Sequence, residues 1–393
     1  MNGINRMSKY KLIYYLCLLF KRKLFMKKIL IPALLGIAVC SFLSSCSEKF
    51  DVAAPYKNIT TVFGLLDISD TAHYIRVEKA FLDQNKSAIV MSQVPDSLYY
   101  PESQIVVTVQ AINNSFSPPT IANTYTLSRV DLNNEGYPKA SGAFTNSPSY
   151  AYKFKANLDP SLSYRIRVQN LATGEIDSTD TRIIDSSSSV FNINAPYFDP
   201  SIVNNPFTSL TRLTSYVSVQ GQAPSASAMF EGIIRVHWTD SNATAHTSTQ
   251  HSADWNFDNS PVGTGSGGTY VNYTLKSAVA NFYYFLRDNI GVAPAGVTRY
   301  LTKLDVLVYA GNSDLYKYQQ IGLLLGTGIT GLDSQPLFTN MKGNNVYGLF
   351  AARGEIGNYG YVYADVNTRD SILYSPGIQS IIKDLNIVDV KFQ

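Results

Sequence analysis

The stretch YAYKFKANLDPSLSYRIRVQ, residues 150–169, decides the fold class. Tyr152, Phe154 and Ala156 alternate with Lys153 and Lys155, and Tyr164, Ile166 and Val168 alternate with Arg165, Arg167 and Gln169. A period of two is that of a strand, with one face to bury and one to solvate. Half-buried antiparallel strands have this form. Thr173-Gly174 then turns the chain into a partner strand over residues 175–184.

Working outward, residues 60–66 and 74–82 read as a hairpin about the polar turn 67–71, and 104–112 and 124–130 are further β-branched runs. Seven strands in about 130 residues, with no convincing helix, predict an N-terminal immunoglobulin/fibronectin-like β-sandwich over residues 58–185. The segment 158–168 looks like the tyrosine-bearing late strand of such modules. Asp185 and the four serines after it mark a boundary.

Residues 190–393 predict a second β-rich domain with two or three helices. Strands are expected at 216–219, 230–238, 270–275, 301–309, 358–366 and 388–392. Between them, 239–268 reads as a long polar loop. Val279, Phe282, Tyr283 and Leu286 change the period to that of a helix. Residues 314–325 predict another, capped by Asn312 or Ser313, and 379–385 a short final one. The chain is thus mainly β.

Upstream, residues 26–45 have the build of a secretory signal: Lys27 and Lys28, then a 15-residue apolar run from Ile29 to Leu43. Leu43-Ser44-Ser45-Cys46 resembles the lipobox of bacterial lipoproteins. That resemblance implies cleavage between Ser45 and Cys46, diacylglycerol on the Cys46 thiol and a further acyl chain on its amino group. Several acyl chains exceed the two signals that stable anchoring requires. Residues 46–57 then read as a tether from the membrane. The nine apolar residues 12–20 would rise only about 14 Å as a helix, against a hydrocarbon core of about 30 Å. Residues 1–25 are therefore read as an over-extended start.

The leader also distorts the charge. Residues 1–45 hold eight of the 32 basic residues and none of the 29 acidic ones, so 24 basic groups face 29 acidic ones in the rest. Nothing in that balance argues for a nucleic-acid partner. Of three cysteines, Cys17 and Cys40 precede the expected cleavage and Cys46 would be acylated, so neither a disulfide nor a thiolate metal site is expected.

The motifs for chemistry are weak. Gly263, Gly265 and Gly268, and again Gly326, Gly328 and Gly331, match G-x-G-x-x-G without the strand and helix that a dinucleotide site needs. His246, His251 and Asp254 offer two or three metal ligands if their loop folds back, but spacing in a loop fixes no geometry. Neither a metal nor a cofactor is assigned. Trp238, Trp255 and Tyr270, with Tyr283 and Tyr284, could form an aromatic platform for sugar or peptide, or could fill the core.

Residues 304–309, 314–318, 335–343 and 347–350 resemble the C-terminal signature of an uncharacterised family of Bacteroidota lipoproteins. Its pattern is a strand, a Tyr-rich helix, a turn carrying Pro336, Asn340 and Gly343, and a strand carrying Gly348 and Phe350. This chain departs from it by placing residues 344–347 between the turn and Gly348. Asn340 and Gly343 suit left-handed turn positions, and Gly348 would permit close packing beside Phe350. The resemblance implies an outer-membrane lipoprotein, on the periplasmic or extracellular face, that partners a TonB-dependent receptor. It implies no catalytic residues. The expectation is a noncatalytic accessory or ligand-binding protein; a surface adhesion or glycan-binding module is the alternative, and a secreted hydrolase a third reading that needs paired carboxylates or a His with an acid partner in a cleft.

Overall fold

The computed structural model describes residues 59–80, 87–193, 208–214, 216–261, 269–326, 338–358 and 366–390. The expected leader, Ser45, Cys46 and the tether lie outside them, as do both glycine motifs apart from Gly326.

The first half supplies β1 (Thr60–Asp67), β2 (Ala72–Lys79), β3 (Ile105–Asn113), β4 (Thr120–Thr126), β5 (Ser128–Asp131), β6 (Tyr150–Lys155), β7 (Ser163–Asn170) and β8 (Ile176–Arg182). They form two layers, β1-β2-β6-β5 and β4-β3-β7-β8, the strand distribution of an immunoglobulin-type sandwich. The run expected over 124–130 divides at Leu127. Its first part pairs with β3 and its second with β6, so the chain changes layer there. Between the layers lie Val62, Leu66, Ile75, Val107, Val109, Phe154, Tyr164 and Ile166, all buried. Each such side chain removed from water contributes about 1.5–3 kcal/mol. Two short helical turns, α1 (Ala88–Ser92) and α2 (Pro95–Leu98), fill the β2–β3 connection.

The second half supplies β9 (Asn192–Ile193), β10 (Tyr216–Pro224), β11 (Ser227–Asn242), β12 (Thr247–Pro261), β13 (Tyr270–Ala278), α3 (Val279–Ile290), β14 (Val297–Asn312), α4 (Ser313–Gly326), β15 (Val346–Asn358), α5 (Val366–Tyr374), α6 (Pro376–Ile382) and β16 (Ile387–Val390). Asn312 caps α4, its Oδ1 accepting from the Leu315 N–H at 3.1 Å. The final helical region arrives as two helices on either side of Ser375.

The expected loop 239–268 is instead mostly strand. β11 and β12 pair from Met229↔Pro261 to Asn242↔Thr247 as one long hairpin. Its turn places His246 at φ 53°. The polar sequence hid this because the outer face and tip of the hairpin are solvated, leaving Ala253, Trp255 and Phe257 as the inward positions.

The two halves share one nine-stranded sheet, β12-β11-β14-β15-β1-β2-β6-β5, with β16 beside β14. The joint is β1 lying parallel to β15, Thr60↔Val346 through Asp67↔Arg353. Arg353 Nε donates to Asp67 Oδ2 at 2.9 Å across that joint. Cores divide beside the expected boundary: Ile183 packs in the first and Ile184 in the second, while Met341, Val346, Phe350 and Ala352 return from the far end of the chain to the first.

The residues of the C-terminal signature make this joint. Gly348, at φ +136°, lies so close to β1 that a Cβ there would meet the Val62 carbonyl oxygen at 1.8 Å. Close approach is therefore to the backbone of Val62, not to Phe350. Gly343 takes a positive φ, +158°, as expected, while the left-handed position expected of Asn340 falls to Asn345, at φ 55°. Asn340 has another role: its amide accepts from the Phe350 N–H at 3.0 Å and donates to the Phe350 carbonyl at 2.8 Å and to Asp314 at 2.9 Å. Its side chain extends the ladder as a strand would.

Candidate functional site

A cleft of about 440 Å³ opens at the β5 end of the sandwich, lined by Lys79, Pro95, Asp96, Tyr99, Tyr100, Pro101, Arg129, Pro148 and Tyr150. Its volume is within the range of small-ligand sites. The end of β2 brings Lys79, the β2–β3 connection brings Asp96, Tyr99 and Tyr100, and the adjacent β5 and β6 bring Arg129 and Tyr150. Tyr99 and Tyr150 meet edge to face at 5.0 Å between ring centres. The Arg129 guanidinium lies 4.4 Å from the centre of the Tyr150 ring, donates to the Tyr100 carbonyl at 3.0 Å and pairs with Glu102 at 3.2 Å. Three partners of different kinds hold its plane in place. Tyr100 is tied to β1 by a 2.9 Å hydroxyl contact with Thr60. Burial pushes the Tyr99 phenol above its ordinary value, so it stays protonated at neutral pH. Lys79 lies over the Tyr100 ring at 6.0 Å, and Asp96 stands exposed at the rim.

A second cleft, about 370 Å³, is lined by His237, Trp238, Gln250, His251, Thr302 and Lys303. Beside it, His237 Nε2 lies 2.8 Å from Asp305 Oδ2 and Lys303 Nζ 2.9 Å from Asp305 Oδ1, with Asp305 buried. An imidazole oriented by a buried carboxylate is an arrangement used in general base catalysis. Here the carboxylate is shared with a lysine. The register sets Ser252 opposite His237 on β12, and among the described residues no hydrogen bond joins the two.

The residues singled out from sequence are dispersed. His246 sits in the hairpin turn. His251 stacks on Trp238 at 5.3 Å and approaches Asp240 at 3.8 Å. Asp254 takes a bidentate pair from Arg235 at 2.6 and 2.8 Å, which holds its carboxyl below the usual range. The odd spacing of His251 and Asp254 puts them on opposite faces of one strand. Among the described residues no three His, Cys, Asp or Glu side chains gather as a metal site.

The aromatic platform is not one surface either. Trp255 is 7% exposed and packs on Phe257, Phe282 and Phe285. Trp238 is equally buried, and Tyr283 is fully buried with its hydroxyl donating to the Leu210 carbonyl at 2.7 Å. Tyr270 is exposed, opposite Pro224 at an end of the β10–β13 pair, and Tyr284 is exposed under Arg287. Helix α3 covers the indole of Trp255. The Tyr99 cleft, by contrast, escaped sequence reading, although Tyr99-Tyr100-Pro101 beside Pro95-Asp96 is an aromatic and proline cluster between strands.

No family model matches the chain, and no curated protein is similar to it. Among solved structures it is similar to the C-terminal globular domain of an oligosaccharyltransferase from Pyrococcus abyssi, at 8% identity over 61% of this chain, with a TM-score of 0.21. The match spans 45% of that structure's length, and so slight a likeness carries no argument about function.

Proposed function

We propose that the protein is a noncatalytic lipoprotein of the cell envelope, held to the outer membrane by acyl chains on Cys46. Its β-rich body would act as an accessory or ligand-binding partner of an outer-membrane receptor, a TonB-dependent one by the sequence resemblance. The observation that carries this reading is the order of segments: a basic and apolar signal, Leu43-Ser44-Ser45-Cys46, and then strands that begin at Thr60. Among the described residues no helix is long and apolar enough to cross a membrane. Mass spectrometry of the purified protein should find an acylated Cys46 as the first residue, and Cys46→Ser should release the protein from membranes. An unmodified start, or a Cys46→Ser protein that remains membrane-bound, would overturn the anchor. Crosslinking in intact cells followed by affinity capture should recover an outer-membrane receptor, and recovery of the lipoprotein alone counts against the partner.

The glycan-binding alternative draws support from a different place than the sequence suggested. The cleft lined by Lys79, Asp96, Arg129 and Tyr150 brings charged groups beside a half-buried tyrosine, whereas the tryptophans, Tyr99 and Tyr100 are all buried.

A further inference from the structure

We infer that the end of the sandwich formed by α1 and the segment before β6 seats on the lipid surface beside the acylated terminus. This deepens the anchoring part of the reading above and rests on it.

The chain enters the fold at that end. Thr60, the first residue of β1, pairs with Lys79, the last of β2, and the Ala80 N–H donates to the Ile59 carbonyl at 2.8 Å. The β2–β3 connection leaves from this point, and its Pro95 lines one cleft with Lys79. Because β6 runs antiparallel to β2, the segment 140–149 that precedes it returns to the same end. It is tied to α1: the Thr145 N–H donates to the Ser92 carbonyl at 2.9 Å, and the Ser92 hydroxyl donates to the Ala143 carbonyl.

The surface these segments present is apolar and uncharged. Ile89 is 69% exposed and Val90 59%, and Val94 and Phe144 are exposed as well. No residue of 87–95 or 140–150 carries a charge. The next carboxylate, Asp96, lines the cleft, and Lys139 brings its ammonium to 5.3 Å from the centre of the Phe144 ring. Leu171 is exposed in the β7–β8 turn, which the pairing Ile105↔Asn170 sets at the end where β3 begins. An isolated exposed Ile or Val is ordinary; several on one end of a domain mark a contact surface.

The occupant follows from where the chain comes from. Cys46 lies fourteen residues before Thr60, at most about 50 Å of fully extended chain. Acyl chains in the bilayer therefore hold this end of the sandwich near lipid, and a contact too weak to recruit the protein alone becomes an intramolecular one. A patch without charges gives a protein partner little to steer or register by. Lipid asks only for apolar area, and a lysine at its margin suits the headgroup phosphates.

The acylated full chain, purified from membranes and reconstituted into phosphatidylcholine and phosphatidylglycerol vesicles, tests this. With Cys17 and Cys40 cleaved away and Cys46 alkylated, Val90→Cys supplies the one free thiol for an environment-sensitive fluorophore. Phe116→Cys is the control, since Phe116 is 57% exposed in the β3–β4 turn at the opposite end. Nitroxide-labelled lipid should quench the Val90 label at least about twofold more than the Phe116 label, and aqueous iodide should quench it less. Adding Val90→Asp to a Val94→Cys protein should return the Val94 label to water while co-flotation with vesicles is unchanged. All three are exposed positions, and unchanged thermal unfolding would show the variants folded. Equal lipid quenching of the two labels, or a Val94 label indifferent to Val90→Asp, would overturn the seating. A Val90 label shielded from iodide in intact cells yet beyond the reach of nitroxide lipid would mean a protein covers the patch, and would also overturn it. Protein that co-floats with its Val90 label in water defeats the seating alone, whereas protein that does not co-float defeats the anchor and the seating together.

Discussion

The backbone N–H of Asp159 donates to the hydroxyl oxygen of Tyr164 at 2.7 Å, across the turn that leads into β7. Tyr164 is 1% exposed, so its ring fills the sandwich core while its hydroxyl pins the connection from β6. This is the geometry of the tyrosine corner of immunoglobulin-like modules. Tyr164→Phe keeps the ring and leaves that N–H without its acceptor. Urea unfolding should show a loss of about 1–2 kcal/mol with the denaturant slope unchanged.

Gly348 has no room for a side chain, because the added carbon would meet the Val62 carbonyl oxygen. Gly348→Ala should therefore separate β1 from β15, not merely strain a turn. The expected cost is about 3 kcal/mol or more, in the range of severe backbone and packing defects. Hydrogen exchange should report faster opening of β1. Gly142→Ala is the control, since open space surrounds that position, and it should change stability by less than about 0.5 kcal/mol.

How much of this was legible from sequence depends on what each residue's neighbours are. Strands such as β6 and β7, with one face buried by the opposite layer, carry a period of two that survives in any reading. The helix α3 likewise shows its buried Val279, Phe282, Tyr283 and Leu286 at helical spacing. β12 failed because much of it is a solvated hairpin arm, where no burial pattern distinguishes strand from loop. The parallel pairing of β1 with β15 joins residues nearly 300 positions apart, and no local signal encodes a partner at that distance. The Tyr99 cleft was obscure for the same reason: Lys79, Asp96, Arg129 and Tyr150 meet only when four separate elements pack.

Trp255 belongs to the core beneath α3, with Phe282 at 5.4 Å and Phe285 at 6.2 Å. Trp255→Ala should accordingly cost about 3–5 kcal/mol, as loss of a large buried aromatic does. Acrylamide quenching of the wild-type protein should be weak until unfolding, since both tryptophans are 7% exposed.

Asp177 sets a pH dependence of unusual sign. It is 5% exposed on the inward face of β8, its Oδ1 has no hydrogen-bond partner, and a Cβ on Gly343 would meet that oxygen at 1.9 Å. Burial, with the charge of Glu175 adding to it, pushes its carboxyl up to about 6 from 3.8. The folded protein thus binds this proton more tightly than the unfolded chain does. Its contribution is most favourable below pH 4 and is lost as pH rises through 6, reaching a cost of about 3 kcal/mol at most. Asp177→Asn removes the charge without removing the shape. The variant should be more stable than wild type at pH 7 and equal to it near pH 3.5, and the difference should develop between those values. His73, buried with its imidazole held below the ordinary value by desolvation, acts in the opposite direction in both proteins. It lowers stability as pH falls below 6.5, so its effect cancels when variant and wild type are compared at each pH. Thermal melts of the pair across pH 3.5–8 measure that difference directly, and a constant offset would mean that Asp177 titrates normally.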